Sequence, residues 1–188
     1  TDCVVLNATE LKIHNAKIVD SSGESYSTVG ITYDEKLERV SLIFGQIMSS
    51  GQYSIQLEFS GYLNDQLRGF YRSKYFDDDG QERFMATTQF EATDARRALP
   101  CWDEPSSKAI FEITLIVPTD LQAISNMPAV GEMINEHGKK IVQFEPTPKM
   151  STYLLAFIVG DLACVEGTAI DGTTVRVWGT KGKEQLGK

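Results

Sequence analysis

Apolar and polar residues alternate along several short segments of this chain. From Tyr53 to Phe59 every second residue is apolar, and the same alternation recurs from Phe111 to Val117 and at Val175 and Val177. Because successive side chains of a strand point to opposite faces of a sheet, each segment buries one face and exposes the other. Further strands are predicted at Leu11–Val19, Tyr26–Tyr33, Arg39–Phe44, Phe70–Phe76, Arg83–Gln89, Lys140–Phe144 and Thr152–Val159.

Turn-forming residues separate these segments. Gly, Asp, Asn and Ser are the residues that tight turns favour. They cluster at Ser21–Gly23, Ser49–Gly51, Asp77–Gly80, Glu136–Gly138 and Asp171–Gly172. Many short strands joined by regular turns predict an all-β fold, either an antiparallel β-sandwich or a saddle-shaped sheet.

Two segments depart from the alternating pattern. Thr152–Val159 is nearly all apolar, and a strand of that composition is expected to be covered on both faces. Only Ala92–Leu99 has the residues for a helical turn, and Pro100 would end it. The chain is therefore expected to consist almost entirely of strands and turns.

Length and charge narrow the classes of function. The 188 residues suffice for one domain with a sizeable core. Lys and Arg number 18 and Asp and Glu number 26, so the net charge is −8, which argues against a nucleic-acid partner. No apolar run approaches the roughly 20 residues that a membrane span needs, so no membrane partner is expected.

The cysteines favour a reducing compartment. Cys3, Cys101 and Cys164 are odd in number and far apart, whereas a secreted disulfide framework has more cysteines, in pairs. A cytoplasmic location is therefore predicted. Cys101 lies beside Trp102, but no local signature of a thiol hydrolase surrounds it, so a buried structural thiol is favoured over a nucleophile.

The sequence offers no convincing metal site. His14 and His137 lack the spacing that would place two imidazoles on one helix face, and a solvated or hydrogen-bonded role is favoured for both. Asp77–Gly80 lacks the alternating ligands and the distal glutamate of a calcium loop, so it is interpreted as a hairpin tip. This chain is therefore expected to bind no metal.

Chemistry-bearing residues concentrate in TTQFEATDARRALPCWDEP, residues 87–105. Gln89 and Glu91 lie two positions apart, which on an extended chain places both side chains on one face. A carboxylate there can bind an ammonium group through a charge-assisted hydrogen bond worth roughly 1.5–3 kcal/mol. Spacing equally allows a structural role, in which Glu91 and Asp94 pair with Arg96 and Arg97 to fix a loop.

A longer stretch carries a family resemblance. It reads TTQFEATDARRALPCWDEPSSKAIFEITL, and AISNMPAV and TPKMSTYLLAFIVG follow it, with weaker likeness upstream in VVLNATELKI and YSIQLEFSGYLNDQLRGFYRS. These motifs resemble the signature of zinc aminopeptidases of the puromycin-sensitive and aminopeptidase N type. The resemblance covers essentially the whole chain and is strongest toward the cytosolic puromycin-sensitive branch, in agreement with the cysteine pattern.

The resemblance implies a specific place within a larger enzyme. In that family an N-terminal β domain packs on a thermolysin-like catalytic domain, which holds zinc through His-Glu-x-x-His and binds the substrate's amino end through Gly-Ala-Met-Glu-Asn. Neither motif occurs here, so zinc would be bound outside this chain, and the chain alone is expected to be inactive. Residues 1–178 are expected to form the β domain, without the family's first strands, and residues 179–188 a linker toward the catalytic domain.

The resemblance also implies roles for individual residues. Gln89 and Glu91 would bind the first residue of a peptide substrate, near its free amino end. Asp94, Arg96 and Arg97 would brace the loop. The residues expected to form a rigid, packed frame for the strand are Pro100, Cys101, Trp102 and Pro105.

Two alternatives remain open to the sequence. One is a freestanding β-sandwich binding module, which the absence of a His-Glu-x-x-His motif in the gene beyond Lys188 would favour. The other is a thiol hydrolase that uses Cys101 and one of the histidines, which an activated, rapidly alkylated thiolate would reveal.

Overall fold

The computed structural model describes residues 1–187, and in this range every strand of a sheet pairs with its neighbours in antiparallel fashion. The strands are β1 (Cys3–Asn7), β2 (Leu11–Asp20), β3 (Ser25–Asp34), β4 (Arg39–Phe44), β5 (Tyr53–Gly61), β6 (Gly69–Phe76), β7 (Glu82–Gln89), β8 (Lys108–Ala109), β9 (Thr114–Pro118), β10 (Gln122–Ser125), β11 (Ala129–Ile134), β12 (Lys139–Phe144), β13 (Met150–Ser151), β14 (Phe157–Gly160), β15 (Leu162–Thr168) and β16 (Thr174–Thr180). Short 3-10 helices occupy Ala95–Arg97, Thr152–Leu154 and Glu184–Gly187. The predicted all-β antiparallel fold is confirmed.

A curled five-stranded sheet carries the first hydrophobic core. Its strand order is β1-β4-β3-β2-β5. Alternate residues of β4, namely Val40, Leu42 and Phe44, are buried, because one face of the sheet packs on the core and the other meets solvent. Leu6 of β1 and Ile18 of β2 belong to the same core.

A second core lies beside a four-stranded sheet, which is ordered β10-β14-β7-β6. Phe90, directly after β7, is buried with Ala95 and Leu155. The ring of Phe157 packs edge-to-face on Phe90 at 6.0 Å and on Phe70 at 5.0 Å between ring centroids. Aromatic pairs of this geometry fix the relative positions of the elements that carry them.

The remaining strands form smaller sheets. β11, β12 and β9 make a three-stranded sheet, β13 pairs with β8, and β15 forms a hairpin with β16. Strand β16 continues through Thr180, and the Lys183 ammonium then donates a hydrogen bond to the Phe76 carbonyl oxygen (2.9 Å). Lys188, the last residue of the expected linker, lies outside the described residues, and the division at residue 178 stays a prediction.

The predicted turns are confirmed as strand connections. Asp77–Gly80 is the tip between β6 and β7, where the Asp77 carboxylate accepts hydrogen bonds from the backbone of Asp79 (3.1 Å) and Gln81 (2.8 Å). Gly80 has φ of 74°, in the left-handed region where glycine is favoured. The Asp77 side chain therefore stabilises the turn, as expected for a hairpin tip.

The predicted strand Thr152–Val159 is wrong in its first half. Thr152–Leu154 form a 3-10 helix, and strand β14 begins at Phe157. The Asn126 side chain donates to the Leu154 carbonyl (2.8 Å) and accepts from the Ala156 N–H (2.8 Å), so these groups are unavailable to a ladder. Burial on both faces is also incorrect, because Ile158 and Val159 remain partly exposed.

The predicted strand Phe111–Val117 starts later than expected, at Thr114. Phe111 instead exchanges hydrogen bonds with Thr147, and both Phe111 and Ile113 pack against the second core. Strands β8, β10, β11, β13 and β15 were not predicted from the sequence. In β11, for example, all six residues are exposed, so no alternation of apolar and polar positions exists to detect.

We expect replacement of Leu42 by alanine to destabilise the fold. Leu42 is fully buried in the first core, and such truncations cost about 2–5 kcal/mol of unfolding free energy. Urea denaturation followed by tryptophan fluorescence measures the change. Ile170→Ala, at an exposed position in the β15–β16 connection, is the control and should change the free energy of unfolding by about 0.5 kcal/mol or less. Equal effects of the two variants would contradict this assignment of the core.

Candidate functional site

Gln89 and Glu91 lie at the end of strand β7 on either side of a buried anchor. Gln89 is the last residue of the strand and is exposed, Phe90 is 2% exposed, and Glu91 is exposed again. This alternation is the one that places residues two apart on the same side of an extended chain. Gln89 pairs with Gly69 in the ladder, so its backbone is fixed by the sheet.

The loop after Glu91 is closed by backbone hydrogen bonds. The Asp94 N–H donates to the Phe90 carbonyl oxygen (2.9 Å), and a 3-10 helix follows at Ala95–Arg97. Ala95 is fully buried, which ties this helix to the second core. The predicted helical turn is confirmed as this short 3-10 helix. The peptide bond between Glu91 and Ala92 is cis.

Arg97 binds three carboxylates from three parts of the chain. Its guanidinium contacts Asp94 at 2.8 Å, Glu10 at 3.0 Å and Glu38 at 3.2 Å. The Arg97 side chain is 9% exposed, whereas Glu10 is 50% exposed. Burial acts to lower the pKa of Arg97, but the surrounding carboxylates outweigh it and hold the pKa above its usual range.

Arg96 makes a second set of ion pairs in the same region. Its Nε donates to the buried Asp103 carboxylate (3.0 Å), and its Nη1 donates to Glu38 (3.2 Å). Glu38 therefore receives one hydrogen bond from each arginine. The predicted brace is confirmed for Asp94, Arg96 and Arg97.

The partners of the two arginines differ from the sequence expectation in one respect. The alternative in which Glu91 pairs with an arginine is wrong, because both guanidinium groups are occupied by Glu10, Glu38, Asp94 and Asp103. Sequence reasoning missed Glu10 and Glu38, which lie more than 50 positions upstream in turns. Both have positive φ, 58° and 51°, but single glutamates in polar turns carry no sequence signal of this.

The predicted frame is only partly packed. Cys101 is half-buried against the second core and exchanges backbone hydrogen bonds with Asn7 of β1 (2.8 and 3.1 Å). Trp102 is 54% exposed and Pro105 is exposed, which corrects the expectation for these two residues. The indole N–H of Trp102 donates to the Val5 carbonyl oxygen (3.1 Å), so the ring lies over the open edge of β1 instead of entering the core. Asp103 is the buried member of this segment.

Histidines and acidic residues do not converge on a metal site. Across residues 1–187, no three His, Cys, Asp or Glu side chains are arranged to hold an ion. His14 contacts the Ser60 hydroxyl at 2.8 Å on an exposed surface, and His137 lies in the exposed turn between β11 and β12. The residues described therefore do not fit a zinc site. Nor does any helix within them have the length and apolar character to cross a membrane.

Comparisons with known proteins test the family resemblance seen in the motifs. Residues 1–154 match the family described as Peptidase M1 N-terminal domain. The whole chain is 45% identical to Aminopeptidase M1 of Arabidopsis thaliana, of which it covers 22%. It is 40% identical, again over its whole length, to Puromycin-sensitive aminopeptidase of Caenorhabditis elegans, of which it covers 20%. For Alanine/arginine aminopeptidase of Saccharomyces cerevisiae the identity is 44% over 98% of this chain and 21% of that protein.

These matches confirm the family resemblance found in the motifs. They also show that the chain spans about a fifth of the length of the curated relatives it matches.

We expect Cys101 to resist alkylation in the folded protein. Burial, reinforced by the charge of Asp103 and opposed by Arg96, raises the pKa of the Cys101 thiol from 9.0 to about 12. The thiolate fraction at pH 8 is then roughly a thousandfold below that of an ordinary thiol. Iodoacetamide labelling, followed peptide by peptide with mass spectrometry, measures the rate, and the urea-unfolded protein is the control. Faster labelling in the folded state would instead support the thiol-hydrolase alternative.

Proposed function

Because this chain belongs to the Peptidase M1 N-terminal domain family, we propose that it is the non-catalytic N-terminal domain of a zinc-dependent aminopeptidase. The whole protein would remove N-terminal amino acids from peptides. In it, Gln89 and Glu91 bind the first residue of the substrate. The observation that carries this role is their exposure on both sides of the buried Phe90, at the end of a strand whose position two aromatic contacts fix.

The chemistry of the two side chains suits a free amino end. The Glu91 carboxylate accepts charge-assisted hydrogen bonds from a protonated α-amine, and the Gln89 amide offers both a donor and an acceptor. A substrate with a blocked N-terminus would leave the carboxylate unpaired once the cleft closes over it. This cost gives discrimination against blocked peptides without any contact to the bond that is cleaved.

Metal chemistry belongs to the rest of the protein in this proposal. Zinc would be held by residues of a catalytic domain outside this chain and would supply a polarised water for hydrolysis. This chain would therefore have two partners, the catalytic domain and the N-terminus of the peptide substrate. A cytoplasmic location is proposed from the cysteine pattern, to which the three free thiols of the structure conform. The match to aminopeptidases over the full chain favours this assignment over a freestanding β-sandwich binding module.

We expect Glu91→Gln and Gln89→Ala to weaken turnover in the full-length enzyme. Each removes a contact to the substrate's amino end, and kcat/KM on aminoacyl substrates should fall at least tenfold for Glu91→Gln, with a smaller loss for Gln89→Ala. Steady-state kinetics on an aminoacyl substrate measures the effect.

The matched control for this pair is Glu82→Gln. Glu82 is an exposed carboxylate at the other end of the same strand, paired with Lys74, and its loss should leave kcat/KM within twofold. Unchanged kinetics in both site variants would show that this surface does not bind the substrate.

The isolated chain should bind no zinc stoichiometrically and hydrolyse no aminoacyl substrate. The reason is the absence of a convergent donor set in residues 1–187. Titration calorimetry with zinc chloride and a fluorogenic aminopeptidase assay test the two statements. One equivalent of tightly bound zinc, or turnover that depends on added zinc, would contradict the proposed division between the chain and its catalytic partner.

A further inference from the structure

We propose that Arg97 is a positioning residue that fixes both Gln89 and Glu91, an inference that rests on the function proposed above. Arg97 does not contact the substrate in this proposal. It acts through two separate connections, one to each residue, and through an anchor on the five-stranded sheet.

The first connection leads from Arg97 to Glu91 through the closed loop. Arg97 Nε donates to the Asp94 carboxylate (2.8 Å), and the Asp94 N–H donates to the Phe90 carbonyl oxygen (2.9 Å). Phe90 is the residue directly before Glu91, and its side chain is buried. The ion pair with Arg97 therefore fixes Asp94, the last residue of this turn. Glu91 lies at the beginning of the same turn.

The second connection leads from Arg97 to Gln89 across the ladder. Gly69 pairs directly with Gln89, and its φ is 68°, which favours glycine. A Cβ atom placed on Gly69 would lie 2.7 Å from Cβ of Arg97, so the Arg97 stem packs closely on the Gly69 backbone. Movement of the stem would therefore shift the Gly69 backbone, which lies opposite Gln89 in the ladder.

The anchor of Arg97 lies in a different sheet from the residues it positions. Glu10 is in the turn between β1 and β2, and Glu38 is in the turn between β3 and β4, both of the five-stranded sheet. Three carboxylates approach the planar guanidinium from fixed directions, while an ammonium group is a single point charge that cannot reproduce this arrangement. Arg97 thus locks the strand end of one sheet to two turns of the other.

Displacement of the Glu91 carboxylate would lower the rate of the reaction. A shift of about 1 Å in a positioning group can reduce a rate by roughly a hundredfold. The Arg97 stem packs on Gly69, which pairs with Gln89, and the Arg97 guanidinium binds Asp94, whose N–H closes the turn that contains Glu91. Loss of the guanidinium releases the stem from its ion pairs and opens one end of this turn, so it affects both residues together. Their contribution to substrate binding should therefore vanish with Arg97, even though both side chains are still present.

The test is a double-mutant cycle in the full-length enzyme, read out by KM and kcat separately. Arg97→Met and Arg97→Lys are each made in the natural protein and in a Gln89→Ala/Glu91→Gln background. In the natural protein we expect kcat/KM to fall at least tenfold, mainly through KM, and equally for Met and Lys. In the double-variant background we expect kcat/KM to fall by less than a further twofold, because the two substrate-binding side chains that Arg97 positions have already been removed.

Arg83→Met is the matched control. Arg83 lies on the same strand at the opposite end and pairs with Asp77, so it shares the residue type and the ion pair without a connection to Gln89 or Glu91. It should leave kcat/KM within twofold. If the Arg97 variants do not fold, as judged by thermal unfolding, Asp94→Asn replaces them in the same cycle, because it removes the charge at one link and preserves the side-chain shape.

The outcomes separate the two proposals. Equal losses from the Arg97 change in both backgrounds, or full rescue by lysine, would overturn the positioning role while leaving the binding role of Gln89 and Glu91 intact. A double-variant background with undiminished kcat/KM would overturn the binding role, and the positioning role with it. Loss of most of the Arg97 effect in that background supports both.

Discussion

Two adjacent arginines joined to four carboxylates hold this domain together at the seam between its two main sheets. Arg97 reaches Glu10 and Glu38 on the five-stranded sheet, and Arg96 joins Glu38 to the buried Asp103. Ion pairs of this kind gain little over a well-packed apolar contact, but removing one partner leaves an uncompensated buried charge that costs about 3–5 kcal/mol. The cluster is therefore a constraint on geometry more than a source of net stability.

Backbone pairing reinforces the same seam. Asn7 of β1 exchanges hydrogen bonds with Cys101, Thr9 donates to the Arg96 carbonyl, and Ala8 donates to the Glu38 carbonyl. The bonds to Cys101 and Arg96 link residues that are more than 80 positions apart in sequence, whereas the Ala8–Glu38 bond joins two turns of the five-stranded sheet. This makes the loop from Phe90 to Asp103 a shared element of both sheets.

A rigid platform at this point is consistent with a recognition role that is separate from bond cleavage. Phe90 is held by Phe157, which is itself held by Phe70, so the strand end between Gln89 and Glu91 cannot move without disturbing the second core. In the function proposed above, recognition groups on this fixed strand end would act across a cleft with a catalytic domain outside this chain. Exclusion of water from such a cleft would strengthen the charge interactions inside it.

Local patterns in the sequence determined much of this structure. The alternation from Tyr53 to Phe59 predicted β5, the boundaries Arg39–Phe44 match β4, and clusters such as Asp77–Gly80 predicted the turns. These features depend on residues within one strand or turn, where side-chain direction follows directly from backbone geometry. The predicted strand Arg83–Gln89 likewise ends where β7 ends, and the family motif predicted the brace of Asp94, Arg96 and Arg97.

Only the tertiary structure determined the features that depend on contacts between residues far apart in sequence. It selected Glu10 and Glu38 as partners of the arginines, because three turns that are far apart in sequence meet at the seam. It divided the apolar run Thr152–Val159 between a 3-10 helix and a strand, because the Asn126 side chain takes the backbone groups a ladder would need. It also left Trp102 at an open strand edge instead of in the core. The sequence alone determined which residues form turns and which side chains are able to bind a partner group. Long-range packing determined which groups these side chains contact, because the local pattern of apolar and polar residues carries no information about contacts between separate sheets.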